Sequence, residues 1–257
     1  MTVGIHEIVP SNVRKSAITS QSIGVPELEI LMQVVPLGSP VQDYEHAIVV
    51  DNVLGLQTAT AREWRFKTLR RLYRLDVSMV LFRAMSDLWP FEPGAHPLVA
   101  GLCAMAHDTV FRATAAYIAE TPVGDEVTHD DFIVPIESTF PQAYQSVTLE
   151  TVASKAYTSW AQTGHLDEAI AGRRLRTRAH CRPAAVAYAL LLGHLEGHRG
   201  EALFETLWAR MLDRPRSHLY DLAFAASQQE MLEFRHAGGV IEVGFHELLR
   251  PIEGQLL

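Results

Sequence analysis

The sequence predicts a mainly α-helical protein in three parts: an N-terminal helix-turn-helix-like three-helix unit with a polar arm over residues 1–77, a helical middle domain over 78–170, and a basic linker with a C-terminal winged helix over 171–257. Three observations predict it. Apolar residues recur at helical spacing through most of the chain, proline and glycine punctuate those runs at short intervals, and apolar–polar alternation appears near the end, on either side of Gly238 and Gly239.

Residues 1–20 are polar, with Ser11, Ser16, Thr19 and Ser20, and read as an extended arm from which Arg14 and Lys15 can reach phosphate. In "PELEILMQVV", Pro26 suits a first helical turn, and Leu28, Leu31, Met32 and Val35 fall at helical spacing. "GSPVQDYEHAIVVDNVLGLQ" reads as a turn, a helix from about Pro40 and a stop near Gly55. A third helix follows from Thr58 or Thr60, and Thr60 with Glu63 has the spacing of a capping box, which satisfies amide donors left open at a helix start. At about 100° per residue, Lys67, Arg70, Arg71 and Arg74 share one face, with Leu69, Leu72 and Tyr73 broadly opposite.

From Asp76 to about Leu166 the sequence is helical throughout, broken at Pro90, Pro93, Pro97, Pro122 and Gly124. After Pro183, "PAAVAYALLLGHLEG" reads as a buried helix, "GEALFETLWARML" as a second, and "SHLYDLAFAASQQEM" as a third with Ser217 as N-cap. Leu232 and Phe234, then Ile241, Val243 and Phe245, alternate with polar or small residues around the two glycines, the pattern of a β-hairpin. Three helices and a two-stranded ribbon make a winged helix.

Charge is segregated. The formal net charge is -8, yet residues 58–75 ("TATAREWRFKTLRRLYRL") and 172–182 ("GRRLRTRAHCR") hold half of the 22 Lys and Arg, and the only acid in either is Glu63. Such clustering on an acidic background creates local positive fields suited to a polyanion held at chosen places. A cationic helix face is most often merely solvated, but solubility alone gives no reason to remove acids from these windows. In a helix-turn-helix, the N-terminal end of the last helix meets base edges, which places Thr58, Thr60, Arg62 and Arg65 there and leaves Lys67, Arg70, Arg71 and Arg74 to phosphates. In the second window Arg173, Arg174, Arg176, Arg178 and Arg182 are the candidates, with pairing to an acidic protein surface as the competing role. A winged helix can likewise dock protein, and Asp221 and Glu230 weaken a groove-reading role for its third helix.

Other chemistry finds little footing. His194 and His198 in "HLEGH" lie four apart, but the zinc-protease pattern needs Glu directly after the first His, where Leu195 stands. "AHD" and "THDD" have no partners at triad or metal spacing, and no phosphate loop, dinucleotide fingerprint, nucleophile elbow or kinase signature occurs. The expectation is a non-enzymatic protein with no cofactor or metal. Among its arginines Cys181 could be a reactive thiol, although nothing identifies a base beside it, and with Cys103 it makes the only two cysteines, which suits a reducing compartment. The longest apolar stretches fall short of the about 18–20 residues of a bilayer span, and the N-terminus lacks a secretory pattern, so a cytoplasmic protein without membrane contact is expected.

The ordered series "SAITSQSIGVPELEIL", "VVDNVLGLQTATAREWRFKTLRRLYRL" and "DVSMVLFRAMSD" resembles the BrxA family, accessory proteins of BREX bacteriophage-defence systems, over roughly residues 16–160. The resemblance implies a mostly helical, non-enzymatic protein that binds double-stranded DNA and works beside a methyltransferase, an ATPase and other components. It carries over to Thr58, Thr60, Arg62, Arg65, Lys67, Arg70, Arg71 and Arg74; the arginines of 172–182 rest on charge alone. The alternative is a protein-docking scaffold of a defence or modification complex, without direct DNA contact.

Overall fold

The structure, a computed structural model, describes residues 7–167 and 173–250. The first six residues of the expected arm, Gly172 of the second basic window and the last seven residues of the expected winged-helix domain lie outside the described residues.

The first helix, α1 (Val25–Val34), has proline in its first turn and buries Val25, Leu28, Leu31 and Met32. The second, α2 (Val41–Val49), buries Tyr44, Ala47 and Ile48. The third, α3 (Ala59–Tyr73), starts one residue after Thr58, whose hydroxyl accepts the Ala61 N–H at 3.1 Å. Thr60 is therefore inside the helix and its capping box with Glu63 does not form. Thr58→Ala should cost about 1 kcal/mol in chemical denaturation, whereas Thr60→Ala should leave stability within a few tenths of that scale.

The middle of the chain holds α4 (Val80–Leu88), α5 (His96–His107), α6 (Thr109–Ala113), α7 (Ala115–Glu120), α8 (Ile133–Thr139) and α9 (Ser146–Gln162). Asp108 separates α5 from α6 by capping the latter, its carboxylate accepting the Phe111 N–H at 2.8 Å. "THDD" is likewise structural: Thr128 and Asp131 form a capping box, with the Thr128 N–H donating to the carboxylate at 2.7 Å. Strand β1 (Glu126–Val127) pairs antiparallel with β2 (Arg174–Leu175), so part of the expected basic linker is a sheet edge.

Towards the C-terminus, α10 (Pro183–Leu195) is buried nearly all round. The expected second helix divides at Thr206, whose extended backbone (ψ 161°) separates a 3-10 turn over Gly200–Glu205 from α11 (Leu207–Arg210). Ser217 lies inside α12 (Arg216–Gln228) rather than capping it, because Pro215 occupies the N-cap position. The hairpin is present: β3 (Glu233–Ala237) pairs with β4 (Val240–Gly244), and Gly238 and Gly239 take φ of 60° and 80°, the left-handed pair that a two-residue turn between twisted strands requires.

The chain is thus mainly helical with two small two-stranded antiparallel sheets among the described residues. Helices α5 and α10, apolar around their whole circumference, pack on each other; α1, α3, α4 and α9 also pack on α5, and α4, α11 and α12 on α10. One cluster of buried side chains runs from Ile8 to Leu248. Among the described residues no helix is long and apolar enough to cross a membrane.

Candidate nucleic-acid interface

The basic side chains of α3 divide into two sets according to what they touch. At the N-terminal half, Arg65 is only 5 % exposed, and its guanidinium donates to Glu27 at 2.5 Å and to the Gln21 side chain at 2.7 Å. Gly24 makes room for it: a Cβ there would sit 2.0 Å from an Arg65 Nη and would demand a φ of +72°. Arg62 reaches back to the Val49 carbonyl at 2.8 Å. These two residues join α3 to α1 and α2, so the base-edge role expected for Arg65 is corrected: its charge is neutralised inside the protein. Thr58, with its hydroxyl engaged as the helix cap, and Thr60 are both exposed.

The C-terminal half differs. Leu69, Leu72 and Tyr73 are fully buried, which turns Lys67, Arg70 and Arg71 outward, as the helical register predicts. Lys67 lies 3.9 Å from Glu63, both side chains more than half exposed, a pair worth little in water. Arg70 and Arg71 make no ion pair with any described residue. Arg74 ends the helix at φ 68°, half-buried, with its Nε unpartnered among the described residues.

A fifth cation joins them. Residues 7–24 contain no helix or strand, yet the segment is docked rather than loose. The Asp108 carboxylate accepts the Ala17 N–H at 2.6 Å, the Ile18 N–H at 3.2 Å and the Ser16 hydroxyl at 3.1 Å. Lys15 and Thr109 exchange backbone and hydroxyl hydrogen bonds next to this anchor. Lys15 is thereby held close enough to α3 for its ammonium to be pushed below its usual pKa, first by burial and then by Arg74 and Arg71, with Asp108 pulling the other way. Arg14 is directed elsewhere, donating to the Ala143 carbonyl at 2.6 Å over the Tyr144 ring. Asp108 carries no sequence signal as an anchor, since its partners lie about ninety residues away.

The second window is largely consumed by the fold. Arg176, 1 % exposed, donates to the Ile118 carbonyl at 2.9 Å and to Asp213 at 2.5 Å. Arg173 pairs with Glu126 at 3.1 Å, and Arg174 bonds the Asp167 carbonyl while lying over the Tyr157 ring. For Arg176 the phosphate role is overturned by burial; for Arg173 and Arg174 the contacts are those of a sheet edge. Arg178 and Arg182 are exposed and make no ion pair with any described residue. Cys181 is no activated thiol, because burial pushes it up to about 12 despite Arg214 and Arg182 nearby. No group of three or more potential metal ligands occurs among the described residues.

Two buried histidines make the fold acid-sensitive. Burial, then Arg74, lowers His107 to about 3, and burial, against Asp213, lowers His165 to about 4. Both folded values lie below the ordinary 6.5, so their contribution is complete above that pH and is lost as pH falls towards the folded values. Each costs on the order of 3 kcal/mol by about pH 4. Asp108, raised by burial, works the opposite way and offsets part of this. The melting temperature should fall steadily from pH 7 to pH 4, and His107→Gln should flatten part of that slope.

Fold and site together define a mainly helical protein with a localised cationic face. No protein-family model matches the sequence, and no curated protein matches it.

Proposed function

We propose that the protein is a non-enzymatic, cytoplasmic, double-stranded DNA-binding component of a BREX-type bacteriophage-defence assembly. It holds the duplex by phosphates through Lys67, Arg70, Arg71 and Arg74 of α3, with Lys15 beside them. The observation that carries this reading is the pair Arg70 and Arg71, exposed and without an ion pair among the described residues, on a chain whose net charge is -8. Cations in the last turn of a helix also complement its dipole, but that dipole amounts to about half an elementary charge, and three guanidinium groups exceed it. The ordered resemblance to the BrxA family supports the same biological setting.

In this reading α1 to α3 act as the helix-turn-helix-like unit, and α10 to α12 with the hairpin as the winged helix. With Arg65 and Arg62 occupied, the start of α3 offers chiefly Thr58 and Thr60 to base edges, so sequence preference is weak. About four to five phosphates engaged give a slope of log K against log salt near -4. Gel-shift titrations between low and physiological salt measure it; a flat response removes the proposal.

A second reading is favoured by the opposite end of the chain. Phe224 on α12 is 57 % exposed and Val240 at the hairpin tip 63 % exposed, two apolar side chains that suit contact with protein better than with a groove. A docking scaffold would co-purify with defence components after nuclease treatment and show no DNA affinity alone.

A further inference from the structure

Trp64 stands on the outer side of α3, among its cations. At about 100° per residue, Thr60, Trp64, Lys67 and Arg71 fall within about 60° of arc, opposite the buried Leu69, Leu72 and Tyr73. Along the axis, the Lys67 and Arg71 positions lie about 4.5 and about 10.5 Å beyond Trp64. Glu63, the one acid of the helix, lies 3.9 Å from Lys67, and Arg71 makes no ion pair with any described residue.

Tryptophan carries a large apolar ring and a polar tip, and folding normally covers the first and pairs the second. Three of the four tryptophans follow that rule. Trp89, Trp160 and Trp208 are all buried; the first stacks on His96 with ring centroids 3.9 Å apart, the second donates to the Thr114 hydroxyl at 2.8 Å, and the third donates to Glu196 at 2.8 Å. Trp64 is 49 % exposed. The Thr68 hydroxyl bonds its backbone carbonyl at 3.0 Å, but its indole has no hydrogen bond or ring contact with any described residue.

An exposed aromatic by itself suits a protein partner as well as a nucleic acid. Its neighbours decide here: a ring bordered by Lys67 and Arg71, on a chain of net charge -8, is complementary to a polyanion that has flat apolar surfaces of its own. Intact duplex does not offer those surfaces, because each base face is covered by the next base, and opening a step to admit a ring costs about what stacking returns. A base already unpaired offers its face without that cost. On the strength of the DNA-binding reading above, we propose that the preferred partner of this face is DNA that carries unpaired bases, one base stacking on the Trp64 ring while Lys67 and Arg71 hold the phosphates beside it.

Fluorescence reads Trp64 apart from the other three, since acrylamide quenches an exposed indole before buried ones. The full-length protein is titrated with a short intact duplex, with the same duplex opened at its centre by mismatched thymines, and with polyglutamate. The opened duplex should bind about tenfold more tightly than the intact one and should shield the exposed part of the emission from acrylamide. Trp64→Ala should reduce that preference to about twofold or less, and Trp64→Phe, which keeps a ring, should retain most of it. No binding of either DNA would remove the DNA-binding reading and this proposal with it. Equal affinity for the two duplexes, or binding that leaves Trp64 as open to acrylamide as before, would overturn this proposal alone. Shielding by polyglutamate and not by DNA would overturn it in favour of an acidic protein partner.

Discussion

Arg70→Glu combined with Arg71→Glu is expected to lower affinity for duplex DNA by at least on the order of 100-fold at moderate salt, with the fold intact. Two charge-assisted bonds to phosphate, at about 1.5–3 kcal/mol each, are removed, and two negative charges now face the duplex. The salt slope should lose about one for each contact removed. Neither side chain is buried or ion-paired among the described residues, so the far-UV spectrum should be unchanged and the melting temperature should move only slightly. Arg65→Gln provides the contrast: it breaks the buried link to Glu27 and should lower stability first. If the double reversal leaves affinity as it was, the DNA proposal fails.

The second large effect is on stability. Arg176→Met should cost about 3–5 kcal/mol, because it leaves the Asp213 carboxylate buried beside His165 without its counter-charge. For a chain of this size that corresponds to a fall in melting temperature of roughly 10 °C. Asp213 stands at φ 53°, where Asn is tolerated far better than most residues, so Arg176→Met with Asp213→Asn should recover much of the loss. Thermal and urea denaturation measure both, and a drop below about 1 kcal/mol for the single variant would show that the pair is not structural.

These two arginines also show what a sequence can carry. Helical spacing was sufficient to turn Arg70 and Arg71 outward, since the positions opposite them are leucine and tyrosine. The hairpin was legible for an equally local reason, a glycine pair between alternating strands. Composition could not separate Arg70 from Arg65 or Arg178 from Arg176, because what separates them is a carboxylate distant in sequence. Glu27 and Asp213 decide which guanidinium groups serve the fold, and neither lies near its partner along the chain. Thr58 prevailed over Thr60 as cap through a shift of two residues in where the helix starts, which either threonine could have capped. Lys15 was readable as a cation near the start, but its placement beside α3 depends on Asp108, whose role follows only from tertiary contacts.

That last contact has a consequence for how the protein is made. Residues 16–18 leave the ribosome first, but the carboxylate that fixes them is translated 90 to 92 residues later. A nascent chain that already displays all of α3 still lacks the place where Lys15 settles, so its cationic face is assembled only after the start of α6 has emerged. A closure over such a sequence distance belongs to the slower steps of folding.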